Sequence, residues 1–257
     1  MSSTVNAGSG IRTGRFWEID AARGVAIVLM VVYHLVFDLA FLGGYDIQPS
    51  TGFWGYFADF IASTFMFLVG MSLSISSARA RASGRESFLR YLRRGAGIFA
   101  LGMLITVVTW VLFPGQAIVF GMLHLIGVSI PLAYPFVRLG PVSLLAGVAA
   151  ILAGIYLQAI QPVDFPWLVW LGLRYEGFWS LDYRPLLPWF GIALLGIFAG
   201  NVLYQGGVRR FNLPDVHWFA PLALLAFLGR HSLLIYMIHQ PILITLLTAL
   251  GIIKVWG

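Results

Sequence analysis

The first apolar segment of the chain carries a histidine and a carboxylate at a spacing that suits acid–base chemistry. His34 and Asp38 are four residues apart within the run from Arg23 to Gly44. On a helix they lie on one face, one turn apart. A carboxylate in that position can hold one ring nitrogen of the imidazole and raise the basicity of the other. We therefore interpret His34 as a candidate general base and Asp38 as the group that orients it.

The same helical stripe continues toward the N-terminus through an arginine. Arg23, Ile27 and Met30 advance to His34 in steps of three or four residues. Arg23 and His34 are eleven helical rises apart, which is about 16 Å along a helix at about 1.5 Å per rise. Arg23 therefore cannot contact the histidine, but it can hold an anionic group at the inner surface.

Three further ionisable residues lie within apolar segments: Asp59, His124 and His239. Charged groups inside a membrane span are costly and mark functional sites by default. Counted from the ends of their spans, the three histidines fall near the bilayer midplane, and the aspartates lie closer to the outer face. We therefore expect these five polar side chains, with His34 and Asp38 included, to line one chamber inside the bundle. For His124 or His239 taken alone, an interhelical hydrogen bond is the simpler interpretation, and Asp59 could pair with a histidine.

The elements that position these residues are membrane helices. The 257 residues are 60% hydrophobic and 10% charged, with a mean hydropathy of +0.88, whereas a soluble domain has about 25% charged residues. The fold class is all-α, a polytopic transmembrane bundle of about seven spans. The segment 216–229 is shorter and would make an eighth span if it crosses. The predicted spans are 24–42, 54–77, 95–113, 117–137, 141–160, 186–204 and 232–252.

The chain is interpreted as one domain. Residues 1–11 form a polar tail, expected to be disordered, and 12–257 form a single transmembrane domain. "FPGQ", from Phe113 to Gln116, divides the long uncharged run 95–137 into a hairpin of two spans, because proline and glycine end helices and favour turns.

The basic residues predict that the N-terminus is cytoplasmic. Thirteen of the 16 lysines and arginines fall on inner segments, a strong positive-inside bias. An eighth span would place Arg230 outside. The net charge of +6 thus reflects topology, and no nucleic-acid partner is expected. The inner set is Arg12, Arg15, Arg23, Arg79, Arg81, Arg85, Arg90, Arg93, Arg94, Arg138, Arg209, Arg210 and Arg230, and the outer set is Arg174, Arg184 and Lys254.

Several polar and aromatic groups outside the spans have simple interpretations. The loop from Arg79 to Arg85 suits contact with anionic lipid. Asp182 and Arg184 form an exposed pair near a helix start, and we keep them as candidate substrate contacts. The tryptophans that flank the outer boundary are expected to be interfacial anchors, with sugar stacking as the alternative; they are Trp167, Trp170, Trp179 and Trp189.

Some chemistry is not expected from this sequence. The absence of cysteine excludes disulfides, thiolate metal sites and a cysteine nucleophile. No phosphate-cradling glycine motif is present. The histidines and aspartates are dispersed over four helices, so no metal site is predicted.

Six blocks of the sequence, in order, carry a resemblance to a known family. They are "RFWEIDAARG" leading into "VYHLVFD", then "FMFLVGMSLSIS", "FGMLHLIGVS", "DYRPLLPWFG" and "GRHSLLIYMIHQP". Together they resemble the prokaryotic family grouped with the catalytic domain of heparan-alpha-glucosaminide N-acetyltransferase, over roughly residues 12–252. The ten residues between Arg23 and His34 are also similar to the signature of the wider membrane acyltransferase superfamily.

The resemblance implies an integral membrane enzyme that takes an acetyl group from acetyl-CoA on the inner side and delivers it to a sugar or similar acceptor on the outer side. It implies an essential histidine, which we assign to His34 with His124 as a rival, and it carries Arg23 over to the donor site. The donor phosphates are expected on Arg23 with Arg93 and Arg94, while the acceptor is expected near Asp59 and His239 with Asp182 and Arg184.

Two catalytic routes and two other classes of protein remain open at this stage. His34 either deprotonates the acceptor amine or hydroxyl for direct attack on the thioester, or it is transiently acetylated. His124 and His239 would polarise the thioester carbonyl or bind the acceptor. A proton-coupled transporter with a His/Asp relay is the alternative from another class, although no inverted repeat supports it. A non-catalytic membrane scaffold is the third.

Overall fold

A computed structural model describes residues 15–214 and 219–253. Within these ranges the chain forms eight α-helices, and its only β-type pairings are isolated bridges. The predicted tail 1–11, Arg12 and Lys254 lie outside the described residues. The helices are α1 (Trp17–Phe41), α2 (Gly52–Ala82), α3 (Phe88–Leu112), α4 (Met122–Ala133), α5 (Pro141–Ala159), α6 (Leu186–Leu203), α7 (Ala220–Arg230) and α8 (Ser232–Ala249).

The prediction of an all-α membrane bundle is confirmed. Six of the described helices, α1, α2, α3, α5, α6 and α8, are long and apolar enough to cross a membrane. The predicted hairpin turn is also present, since α3 ends at Leu112 and the amide of Gln116 donates to the carbonyl of Phe113. Of the short apolar segment at 216–229, residues 220–229 belong to α7, which has 11 residues, and residues 216–218 lie outside the described residues.

The predicted span 117–137 is shorter than expected. It consists of α4, with 12 residues, and a 3₁₀ turn over Phe136–Arg138. The backbone just before α4 is bonded to a distant loop, because the amide of Arg184 donates to the carbonyl of Phe120 at 2.8 Å. That pairing holds the residues before α4 out of the helix. The segment still runs antiparallel along α3, with Thr106 bonded to Ile118 near one end and aromatic contacts of Tyr134 near the other.

Close helix contacts at glycines fix the bundle. Gly24 of α1 faces the backbone of Leu225 in α7, and Gly229 of α7 faces the backbone of Asp20 in α1. A Cβ atom at either glycine would overlap those backbone atoms. Small residues of this kind let membrane helices approach closely. The same closeness places the start of α8 beside α1.

The helices form two groups with cavities between them. In one group α1 packs against α7 and α8; in the other, α2, α4, α5 and α6 pack around a shared core, and α3 packs along α4. Contacts between α1 and α2 join the two groups. Residues of α1 and α8 line the cavities from one side, and residues of α2, α3 and α4 line them from the other.

A buried carboxylate clamps the basic end of α2. Glu86, in the α2–α3 loop, accepts a hydrogen bond from Ser77 at 2.5 Å and forms an ion pair with Arg138. Arg81 is a more distant partner at 3.9 Å. Burial by itself raises the pKa of Glu86, but the bonds from Ser77 and Arg138 and the charge of Arg81 outweigh it and lower the pKa below its usual value.

Candidate active site

Two cavities lie end to end along the helix axes. The arginine cavity, of about 540 Å³, is lined by the start of α1, the end of α2 and the starts of α3 and α8. The histidine cavity, of about 1040 Å³, is lined by the opposite halves of α1, α2, α3 and α8 and by the loop before α6. The arginines that line the first cavity belong to the predicted inner set, whereas Arg174 and Arg184, which line the second, belong to the predicted outer set.

The lining of the arginine cavity carries a large excess of positive charge. Asp20 is its sole acidic residue among the described residues. All of its arginines belong to the predicted inner set, and two of them, Arg79 and Arg85, come from the loop expected to contact lipid. The seven are Arg15, Arg23, Arg79, Arg85, Arg90, Arg94 and Arg230. Clusters of this kind bind phosphate groups through charge-assisted hydrogen bonds.

Hydrogen bonds hold Arg23 in place in the wall of this cavity. Its guanidinium lies 3.2 Å from a carboxylate oxygen of Asp20 and donates to Ser72 of α2 at 2.8 Å. Asp20 is 4% exposed and also accepts two hydrogen bonds from Arg15. Asp20 therefore orients both arginines while leaving part of each guanidinium available to the cavity.

Arg93 and Arg94 are separated by the helix geometry, although both were expected at the donor site. Arg94 lines the arginine cavity. Arg93, the preceding residue on α3, is not among the lining residues. Successive residues on a helix point about 100° apart, since a turn takes about 3.6 residues. Only Arg94 of the two therefore faces the arginine cavity.

The histidine cavity brings together histidines from the two ends of the chain. The rings of His34 in α1 and His239 in α8 are 4.7 Å apart and meet edge to face. Nδ1 of His34 lies 2.9 Å from the carbonyl oxygen of Met30, and Nδ1 of His239 lies 2.8 Å from that of Tyr236. Because a carbonyl only accepts, each Nδ1 carries the proton in the neutral ring, and each Nε2 presents a lone pair.

Asp38 does not orient His34, contrary to the expectation from their spacing. Its Oδ1 accepts a hydrogen bond from Gln240 of α8 at 2.9 Å, and the ring of His34 is fixed by Met30 instead. Asp38 is 1% exposed, and its Oδ2 has no hydrogen-bond partner among the described residues. Nε2 of His239 is likewise buried without one. Buried polar atoms of this kind are unusual and call for an explanation.

Charged side chains anchor the loop that lines the histidine cavity at its end away from the arginine cavity. Arg184 donates to Asp59 of α2 at 2.5 Å, its guanidinium lies 4.7 Å from the ring centre of Trp189, and it is 3.9 Å from Asp182. Asp182 also accepts the backbone amide of Met122 at the start of α4, at 3.1 Å. Asp59, Asp182 and Arg184 all line the cavity. The sequence placed these three near the acceptor, and the structure brings them together.

Tyrosine and tryptophan side chains complete that loop. Tyr183 donates to the carbonyl of Val169 at 2.7 Å, and burial raises its pKa to about 12. Trp179 lines the cavity and stacks on Phe41 with ring centres 6.0 Å apart. The expected interfacial anchoring does not hold for Trp189, which is buried beneath Arg184.

His124 lies outside both cavities. It is 1% exposed; its Nδ1 accepts from the backbone amide of Gly121, and its Nε2 lies 3.2 Å from the hydroxyl of Thr106. Both nitrogens therefore stabilise the start of α4 and its contact with α3. The structure supports the interhelical interpretation of this residue rather than its role as a rival to His34.

Three side chains lie where the two cavities meet. Phe65 of α2, Met122 of α4 and Tyr236 of α8 line both the arginine cavity and the histidine cavity. We call them the junction residues. The ring of Tyr236 is 5.7 Å from the ring of His239. The histidine pair therefore stands directly on one side of this junction.

The sequence interpretation missed two kinds of lining residue. Gln240 was overlooked as the partner of Asp38, although an amide directly after His239 in an apolar run was a signal. The junction residues carried no signal, because a phenylalanine, a methionine and a tyrosine are ordinary in a membrane helix. No group of three or more potential metal ligands occurs within residues 15–214 and 219–253.

Fold and site together define a helical membrane protein with a cationic cavity and a histidine cavity meeting inside the bundle. Residues 15–241 match the family model for the catalytic region of heparan-alpha-glucosaminide N-acetyltransferase. The match covers well over half of the chain, so the protein belongs to this family, which supports a membrane acetyltransferase type of function. The chain matches none of the curated proteins and none of the solved structures with which it was compared.

Proposed function

We propose that this protein transfers an acetyl group from acetyl-CoA to an amine or hydroxyl of a small-molecule or glycan acceptor. The donor binds in the arginine cavity, on the cytoplasmic side together with the N-terminus. The acceptor binds in the histidine cavity, on the outer side. The observation that carries the proposal is the meeting of a strongly cationic cavity with a histidine-lined one inside a single bundle.

The arginine cavity has the charge that an acetyl-CoA donor requires. Coenzyme A carries a diphosphate and a further phosphate on its ribose, and its thioester lies at the end of a long pantetheine arm. Arg23 and Arg94 come from two helices that face the same space. With the phosphates on these arginines, the arm spans a length comparable to the separation of Arg23 from His34, about 16 Å along α1.

The histidine pair supplies the base. Nε2 of His34 or of His239 takes the proton from the acceptor nitrogen or oxygen, which attacks the thioester carbonyl carbon. The new C–N or C–O bond forms, the C–S bond breaks, and the proton passes to the departing thiolate. Because both Nδ1 atoms are bonded to carbonyls, both rings are set to accept protons at Nε2.

The outer end of the histidine cavity has groups that suit a hydroxylated acceptor. Asp59 and Asp182 offer carboxylate oxygens, and Arg184 offers N–H donors beside them. Trp179 presents an aromatic ring in the same wall. Carboxylates, an arginine and a flat apolar face together match the hydroxyl groups and apolar face of a sugar ring.

Donor binding can be tested without knowledge of the acceptor. We expect excess acetyl-CoA to raise the thermal stability of the detergent-purified protein; a ligand at about 100 times its Kd stabilises a fold by about 2.7 kcal/mol. Arg94→Ala should weaken acetyl-CoA binding by about 10- to 100-fold, the usual worth of a charged hydrogen bond. His34→Ala should retain most of the stabilisation.

Arg93→Ala is the matched control, because it removes the same charge one residue away and outside the cavity. It should leave the acetyl-CoA affinity within about twofold of the wild type, as expected for a screened surface charge. Equal losses for both variants would point to a general charge effect and contradict the site. A wild type that saturating acetyl-CoA does not stabilise would overturn the donor assignment and favour the transporter alternative.

A further inference from the structure

We propose that the junction residues, Phe65, Met122 and Tyr236, form the passage through which the acyl group reaches the histidine pair, and that they limit its length. The inference rests on the proposed function and adds a selectivity determinant to it. It begins from one observation: of the described residues, these three line both cavities.

The junction residues come from three helices. Phe65 of α2 and Met122 of α4 belong to one helix group, and Tyr236 of α8 belongs to the other. Phe65 and Tyr236 pack against the large core around Leu125 and Leu194 of the α2–α6 group. They also pack against the smaller core around Ile27, in α1. Met122 is 8% exposed and belongs to the large core. The junction residues are thus side chains that pack against core residues as well as lining the cavities.

The reaction places the thioester at this junction. The C–S bond breaks toward the arginine cavity, where coenzyme A stays, and the bond to the acceptor forms toward His34 and His239. The part of the donor beyond the sulfur must therefore lie between the two cavities. That part is the carbonyl carbon and its alkyl group, so the alkyl group contacts the side chains of Phe65 and Met122.

Close packing at the junction then discriminates by chain length. An apolar site separates ligands that differ by one methylene by about 10- to 200-fold, because a packed interior accommodates extra atoms only by displacing side chains. An acetyl group adds a single methyl to the carbonyl carbon, whereas a butyryl group adds a three-carbon chain. The wild-type protein should bind acetyl-CoA more tightly than butyryl-CoA.

The test measures the dissociation constants of coenzyme A, acetyl-CoA and butyryl-CoA by titration calorimetry on the full chain in detergent. Met122→Ala shortens the side chain at the junction, so the ratio of the butyryl-CoA to the acetyl-CoA dissociation constant should fall by about tenfold or more. Phe65→Leu is the second variant and should shift the ratio in the same direction. Affinity for coenzyme A itself should change less than this ratio in both variants, because coenzyme A carries no alkyl group at the junction.

Ile126→Ala is the matched control, since Ile126 lies one turn further along α4 and lines only the arginine cavity. It should change the affinity for all three ligands to the same degree and leave the ratio at the wild-type value. If Met122→Ala and Phe65→Leu also leave the ratio unchanged while acetyl-CoA binds, the acyl passage is wrong and the proposed function stands. If none of the three ligands binds to the wild type, both proposals fall.

Discussion

The two cavities share lining residues from five helices, α1, α2, α3, α4 and α8, yet they differ sharply in charge. Seven arginines against one aspartate line the arginine cavity. In the histidine cavity, three aspartates face two arginines, and two histidines stand at the end nearer the junction. One region is therefore suited to hold an anion, and the other to move a proton between groups of nearly balanced charge.

The difference follows from where each cavity lies along the helices. The arginines belong to the helix ends and to the loop between α2 and α3, where long side chains can keep their charged heads in water. His34 and His239 lie toward the middle of α1 and α8, where a neutral imidazole costs far less than a charged group. A reaction that needs both an anionic donor and a base can thus bind the donor at the helix ends and place the base near the middle of the same helices.

The largest effect should come from the histidine pair, and it separates chemistry from donor binding. Of His34→Ala and His239→Ala, the variant that removes the general base should lower the rate of acetyl-CoA turnover by about 10²- to 10⁴-fold, the usual contribution of such a base. Turnover is measured as thiol release in the presence of an acceptor pool. Acetyl-CoA should still stabilise both variants against heat.

His124→Ala is the matched control for that comparison. Loss of the His124 side chain should lower the thermal stability, because it hydrogen-bonds Gly121 and Thr106. Turnover per folded molecule should change by less than about tenfold. If His34→Ala and His239→Ala remain as active as His124→Ala, the histidine cavity is not the site of chemistry.

A smaller effect should come from the contact between Asp38 and Gln240, which ties α1 to α8 beside the histidine pair. Gln240→Leu leaves Asp38 buried without its hydrogen bond, so we expect a loss of about 1–3 kcal/mol in the free energy of unfolding. The double variant Asp38→Leu with Gln240→Leu should recover most of that loss, because both polar groups are gone. Denaturant unfolding in detergent measures it, and a double variant less stable than Gln240→Leu would contradict this contact.

The smallest effect concerns pH and is confined to the basic end of the bundle. The folded pKa of Glu86 lies below its usual value of 4.5, so its ionised form stabilises the fold above that pH. This stabilisation is lost as the pH falls below 4.5 and through the lowered folded pKa. The melting temperature of the wild type should therefore fall more between pH 7 and pH 3.5 than that of Glu86→Gln. Equal falls in melting temperature for the two proteins would show that the contacts of Glu86 with Ser77 and Arg138 do not stabilise the fold through the charge of Glu86.

Much of the fold could be predicted because each helix carries its own signal. Continuous apolar runs predict spans, and proline with glycine predicts the turn after α3. The stripe from Arg23 to Asp38 was predicted to share one face, and Ile27, Met30 and Asp38 are buried in the structure. The weakest prediction was the fourth span, since α4 begins late where the residues before it bond to the loop at Arg184.

The sequence by itself determined which residues are costly within a membrane and which of them share a helix face, because the helical repeat fixes neighbours along one element. Only the tertiary structure decided the partners across elements. The ring of His34 contacts that of His239, and Asp38 accepts a hydrogen bond from Gln240. Arg94 lines the arginine cavity whereas Arg93 does not, and His124 lines neither cavity. Asp38 and Gln240 are 202 residues apart. Contacts over that distance depend on how closely whole helices approach, and glycines such as Gly24 and Gly229 set that approach only once the bundle has assembled.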